Sequence, residues 1–478
     1  MDVKTVKNYL YNVSYQVLMV FTPLITAPYI SRVLHANGVG IYSYTFTIAT
    51  AFSLFAALGI NTYGQREIAY CQDDIKQRSQ VFWELLFARF ITTFIVCLIY
   101  IGFCFLYKEY TIYLLLQIFL ITGIAFDISW FYQGIEDFRI IAIRNIFIKL
   151  FTLILIFIIV KTPNDLWKYI LINSLSTLLS YLLFFVNLDK LIVKVELKSL
   201  NFKRHIRGTI EFFIPLIATQ LYSQLDKIML GILTNNYENG YYEQARKIVN
   251  ILILVLTSIN SVMYPRVSNL YAKNEINKIK NLYQESLKII FLLLVPMVIG
   301  LLFVSDDFVL WFFGDEYAKV SILMKLSGFL LFFMTLGNFV GMQYLSPSGK
   351  QNKMTVVYII SAIINLILNL FLIKKYLSVG AIIASIVAEF FSCFIQIIIL
   401  QKSEFKVKLF DGLHKYLIAG VIMGVGLYFI QRMNPCHGII KTFIEVACGA
   451  LIYVLILIIE KEKITHMFLN KLIFKLKH

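Results

Sequence analysis

Apolar residues fill this chain in long continuous runs, not in the alternation of a half-buried strand. A helix needs about 20 mostly apolar residues to cross a bilayer. On that measure roughly 14 spans are predicted. They lie near 9–34, 39–65, 81–107, 111–135, 140–160, 166–188, 209–233, 241–265, 286–304, 320–345, 353–373, 379–400, 413–431 and 439–459. A transmembrane barrel would alternate apolar and polar positions, and these runs do not. The first run carries Pro23 and Pro28 and is too long for the apolar core of a cleavable signal. The predicted fold class is therefore an all-α polytopic membrane protein.

Composition agrees. Charged residues make up 15% of the chain and hydrophobic residues 59%, whereas soluble domains carry about 25% charged residues. The net charge of +16 would point to nucleic acid in a soluble protein. With this many spans it fits basic loops facing the cytoplasm. Assigning Lys and Arg to alternate sides puts about 28 on the side holding both termini and about eight on the other. Lys190, Lys194, Lys198, Lys203, Arg204 and Arg207 share one loop of the basic side. Both termini are thus expected in the cytoplasm. The poor side holds the acidic stretch SDDFVLWFFGDEY (305–317), expected as a solvated outer surface. Six cysteines without a CxxC pattern give no disulfide framework.

The chain also repeats itself. FTPLIT (21–26) returns as FIPLIA (213–218), VGIYSYTFTI (39–48) as NGYYEQARKI (239–248), and INTYGQR (60–66) as INSVMYPR (259–266). Gly40 to Arg66 is 26 positions, and so is Gly240 to Arg266. Three matches in order are a repeat. Six spans per repeat make the halves face the same way, related by a pseudo-two-fold axis along the membrane normal. The expected organisation is an N-terminal six-helix bundle over 1–190 and a basic cytoplasmic linker over 191–207. A second six-helix bundle covers 208–402, and 403–478 holds two further helices and a basic tail.

Catalytic constellations are missing from the sequence. SPSGKQNK (346–353) lacks the rest of a phosphate-binding loop, and HExxH and GxSxG do not occur. No cofactor and no metal site is expected, and the chain does not read as an enzyme. What remains is a set of ionisable residues inside spans. Intramembrane charges face a bundle interior or a wet cavity. Arg89, Asp127 and Arg144 belong to this set, with Asp127 and Arg144 a candidate structural pair on consecutive helices. In YSQLDKIMLG (222–231), Asp226 and Lys227 are adjacent and point about 100° apart. Asp226 is about 13 Å from the outer end of its helix and Arg246 about 9 Å deep on the next one, so the two are expected within reach. Lys227 and Lys247 then stay in surplus, and Arg32 adds a cation in the first half. Surplus positive charge in a cavity suits an anionic substrate. Arg32, Lys227, Arg246 and Lys247 are the candidate substrate-binding residues. Asp226, Asp127, Arg144 and Arg89 are the candidate coupling or charge-network residues.

PYISRVLHANGVGIYSYTFTI (28–48), LGINTYGQREIA (58–69), LDKIMLGILTNNYENGYYEQARKI (225–248) and FGDEY (313–317) resemble the Wzx-type oligosaccharide flippases of polysaccharide biosynthesis. That family sits in a larger exporter superfamily with multidrug extruders and lipid II flippases. The resemblance covers nearly the whole chain. It implies 14 helices, with spans 1, 2, 7 and 8 lining a central cavity. It also implies an undecaprenyl-pyrophosphate-linked oligosaccharide as substrate, moved across the bacterial cytoplasmic membrane for a capsule, O-antigen or other surface glycan. Implied partners are this lipid-linked oligosaccharide, membrane lipids, a polysaccharide polymerase and other assembly proteins, and no nucleic acid. Two other readings stay open from the residues: a cation-coupled multidrug extruder, and a glycan polymerase or ligase. The latter calls for a long outer loop with convergent Arg, His or carboxylates, and the first outer loop is the short HANGVG (35–40). A non-transporting scaffold in a glycan assembly complex is a third.

Overall fold

A computed structural model describes residues 3–186, 188–403, 407–433 and 436–467, excepting the side chains of 3–17, 197, 218, 221–222 and 261–262. The described residues are almost wholly helical and contain no strand. Eleven helical runs among them are long and apolar enough to cross a membrane. Two of these runs are broken, at His35 (φ 57°) and at Leu377 (φ 56°). Helix α9 stands outside the eleven. Dividing the broken runs and adding α9 is compatible with the expected 14 spans. The chain is a multi-pass membrane protein.

Contacts divide it into two compact units, Met1–Gly240 and Tyr241–His478. The first holds α1 (Val3–Ala57), α2 (Ile60–Tyr70), α3 (Ile75–Leu106), α4 (Thr111–Leu116), α5 (Ile118–Phe126), α6 (Ser129–Gly134), α7 (Phe138–Ile159), α8 (Leu166–Leu182) and α9 (Lys203–Leu233). The sequence supplies their ends. The Asp74 carboxylate accepts the backbone N–H groups of Lys76 and Gln77 and caps α3. Leu58 (φ 43°) and Gly59 (φ 72°) separate α1 from α2. Faces turned away from the interior stay apolar. Phe94, Leu98, Ile99 and Phe105 on α3 and Phe147, Ile154 and Ile158 on α7 are exposed, as lipid-facing side chains must be. Inward, Trp130, Phe82, Phe131, Tyr132 and Phe184 form one aromatic core.

The second unit begins inside α10 (Asn236–Ala272) and continues through α11 (Ile276–Phe312), α12 (Ala318–Val340), α13 (Gln351–Gln401), α14 (Leu413–Met433) and α15 (Gly438–Ile459). In the acidic stretch 305–317, Asp306, Asp315 and Glu316 are exposed. Residues 305–312 complete α11, and their carboxylates are partnered by lysines. Asp306 pairs with Lys325 at 2.5 Å and Asp307 with Lys441 at 2.9 Å. The exposed stretch thus begins as a helix end whose carboxylates are partnered by lysines of α12 and α15.

Within the first unit, two turns that the repeat makes equivalent pack against each other. A Cβ on Gly40 would lie 1.8 Å from the Asn236 carbonyl oxygen, and one on Gly240 would lie 2.2 Å from that of Ala36. Only glycine allows backbones so close. The contact is fastened by Tyr110, whose hydroxyl donates to Asn236 Oδ1 at 2.9 Å. Buried Asn239 donates to the Lys227 carbonyl at 3.1 Å.

The expected span 111–135 is a chain of short helices instead. The backbone leaves the helix at Asp127 (φ −73°, ψ 96°). This frees the Asp127 carbonyl, which accepts from the Arg89 guanidinium and, at 3.0 Å, from Trp130 Nε1. The Asp127 carboxylate accepts from Asn61 Nδ2 at 3.1 Å and lies 3.7 Å from Arg89. Arg89 also donates to Asn61 Oδ1 at 2.5 Å. Arg89 and Asp127 are both buried. The ion pair of Asp127 is therefore with Arg89, not with Arg144 on the consecutive helix.

Two predictions follow from these contacts. Gly40→Ala and Gly240→Ala should each destabilise the purified protein by about 1–3 kcal/mol, the cost of overpacking, and lower its melting temperature. An unchanged melting temperature in both would refute the contact. Asp127→Ala leaves Arg89 buried without its carboxylate, which should cost about 3–5 kcal/mol. Replacing both residues together by apolar side chains should restore much of the loss. The comparison is read from thermal denaturation of the unaltered protein, Asp127→Ala, Arg89→Leu and the Asp127→Ala, Arg89→Leu double variant, and additive losses would show that the pair is not coupled.

Candidate functional site

The first unit carries three of the candidate residues around the break in α1 and the end of α9. Arg32 lies one turn before the His35 break and is exposed. Asp226 is 5% exposed, on the inward face of α9, while Lys227 beside it is half-buried. Adjacent helical residues diverge in this way, so the two charges occupy different surroundings. The Lys227 backbone is held by Asn239, which fixes the level of this side chain against the glycine contact.

The second unit carries two candidates, Arg246 and Lys247, on α10. Lys247 lies 3.6 Å from Glu243, one turn earlier. Counting along the sequence left Lys247 in surplus, but Glu243 shares its charge. Arg246 has no ion-pair partner within its own unit among the described residues. Its guanidinium rests 3.9 Å from the Met334 thioether, a weak acceptor. Arg246 is half-buried.

Two polar hubs lie at equivalent places in the repeat. In the first unit the hub is Asn61, which holds Arg89 and Asp127. In the second it is Asn260, which donates to Asn338 Oδ1 at 2.8 Å and accepts from Gln343 Nε2 at 3.0 Å. The first hub is charged and the second neutral. Sequence reasoning singled out Arg89 and Asp127 but missed both asparagines. The signal was present as the Ile-Asn step at 60–61 and 259–260.

A third network was also missed. The fully buried Glu84 carboxylate accepts from the Asn201 backbone N–H (3.0 Å), Gln80 (3.1 Å), Arg204 (2.7 Å) and His205 Nε2 (2.8 Å). The Tyr63 hydroxyl donates to His205 Nδ1 at 2.9 Å. Burial lowers the pKa of the His205 imidazole, which precedes the apolar part of α9, and Glu84 opposes that shift. A neutral ring with its proton on Nε2 makes both bonds. The network ties the start of α9 to α2 and α3. Arg144 takes another course: it donates to the Ser180 carbonyl at 2.8 Å and to Asn145, and lies 3.4 Å over the Phe184 ring.

Among the described residues no group of His, Cys, Asp and Glu could hold a metal ion. The arrangement offers cation donors and polar hubs.

Comparison with known proteins places the chain. It is 24% identical over 372 residues to a putative O-antigen transporter of Escherichia coli (strain K12), covering 77% of this chain and 89% of that protein. It is 26% identical over 248 residues to a probable low-salt glycan biosynthesis flippase, Agl15, of Haloferax volcanii, covering 50% of each. Its fold is similar to that of the lipid II flippase MurJ in an inward closed conformation, with a TM-score of 0.73 and 15% identity over 96% of this chain and 100% of that one. A family model described as MatE matches residues 213–371. A model described as polysaccharide biosynthesis protein matches residues 5–271, more than half of the sequence, and the chain belongs to that family.

Proposed function

We propose that this protein is a flippase that moves an undecaprenyl-pyrophosphate-linked oligosaccharide across the bacterial cytoplasmic membrane by alternating access. The observation that carries the reading is the set of cations on spans 1, 7 and 8, above all Arg246, which has no ion-pair partner in its own unit. Arginine and lysine are suited to a pyrophosphate. The O-antigen transporter and glycan flippase named above support the substrate class. The two six-helix bundles, over 1–190 and 208–402, and the cytoplasmic placement of both termini belong to the same proposal. They rest on the repeat and on the basic loops. Polymerase and other assembly proteins are the partners expected to take the product away. Asp226 is the candidate for cation coupling. The polar head crosses among the cationic side chains while the polyprenyl tail stays in lipid, where its transfer costs least.

The MatE match favours one second reading, a multidrug extruder. It predicts drug resistance on overexpression and indifference to the loss of cations.

A Lys227→Gln, Arg246→Gln double variant decides between them. It should reach the membrane at normal levels and lower surface polysaccharide in the host at least about tenfold, the effect of losing roughly 1.4 kcal/mol of binding to the transported anion. Normal surface polysaccharide from the double variant, or drug resistance that survives it, would overturn the flippase reading.

A further inference from the structure

The first unit contains a polar cavity of about 600 Å³ that none of the candidate substrate residues lines. It lies among α1, the broken segment around Asp127, α7 and α8. Three charged side chains reach it: Asp127, Arg144 and Lys149. The acid is already committed to Arg89, to Asn61 and to the Ser129 backbone N–H, 3.0 Å from its Oδ1. Arg144 is braced from behind by Ser180, Asn145 and the Phe184 ring, so its fork is not open for a two-point grip. Lys149 is half-buried, and among the described residues it makes no hydrogen bond and no ion pair.

The cavity therefore has a surplus of positive charge. Within a membrane protein such a surplus is expensive unless water or an anion answers it. The rest of the wall is rich in small neutral polar groups. Ser176 and Gln133 line the cavity and, among the described residues, make no side-chain hydrogen bond. The Asn173 amide donates back to its own helix at 2.8 Å, which leaves its oxygen for an incoming hydroxyl. Alternating hydroxyl and amide groups suit a polyol, and the volume is that of a small-molecule site. A single accessible ammonium suits one negative charge more than the two of a phosphate monoester.

We propose that this cavity binds a sugar carrying one carboxylate, with Lys149 as the ion partner and the neutral groups of α6 and α8 reading the hydroxyls. Within the same unit Arg32 and Lys227 do not line the site, and the proposal does not rest on the flippase reading.

The test uses the detergent-purified full chain and isothermal titration with glucuronate, glucose, acetate and inorganic phosphate. Glucuronate should bind with a dissociation constant of about 1 mM or tighter, and the other three at least about tenfold more weakly. Lys149→Gln should weaken glucuronate about tenfold without moving the melting temperature, Lys149→Arg should keep most of the affinity, and Lys227→Gln should change nothing. Equal binding of glucose would remove the anion requirement, and equal binding of acetate or phosphate would remove the sugar. Undiminished glucuronate binding by Lys149→Gln, or none by the unaltered protein, would overturn the proposal. Loss of glucuronate affinity in Lys227→Gln would move the site to the proposed transport residues and overturn it as well. Failure here leaves the flipping assay of the Lys227, Arg246 variant untouched.

Discussion

Arg89 is fully buried, and a guanidinium has no escape by deprotonation. In a bilayer-spanning unit that charge has to be answered by the protein itself. The answer shapes the surrounding backbone. Asp127 supplies a carboxylate, and the helix opens at that residue so that its carbonyl also turns toward Arg89. Asn61 closes the ring by donating to one partner and accepting from the other. The opened segment then runs as short helices into the aromatic core around Trp130, whose indole uses the same carbonyl. One buried cation thus sets the path of the fourth span.

The same position in the second half of the repeat is solved without charge. Asn260 occupies the place of Asn61 and meets Asn338 and Gln343. Neutral amides cost less to bury than an ion pair. Removing either member of the charged hub leaves an uncompensated ion, whereas removing a member of the neutral hub leaves only an unpaired amide. The sequence repeat thus keeps the asparagine while its partners differ.

Much of the architecture was legible in the sequence because lipid imposes length and polarity on each span. The break at His35 and the equivalence of Gly40 and Gly240 were visible as loop and repeat. What the repeat could not show is that the two glycines approach each other's segments, since equivalence in sequence carries no information on contact. The opening at Asp127 was illegible for another reason. No proline or glycine marks it, and its cause is an arginine 38 positions earlier. The Glu84 network spans a still larger separation, to Arg204 and His205. Local propensity reports neither. The site residues were legible as charges in apolar surroundings, but their pairing was not: Asp127 takes Arg89, and Lys247 takes Glu243.

That sorting changes what a count of cations means. Along the sequence every lysine and arginine in a span has the same claim to a ligand. In the folded units the claim depends on whether the protein has already used the charge. Arg89 is spent on Asp127, Lys247 on Glu243 and Lys325 on Asp306, and Arg144 is spent on a carbonyl, an amide and a ring. Among the described residues of their own units, Arg246, beside a thioether, and Lys149, in a polar cavity, have no such use. Desolvation makes an unanswered cation costly in each place. The proposed binding roles of Arg246 and Lys149 rest on this contrast with the cations that the protein pairs with its own carboxylates.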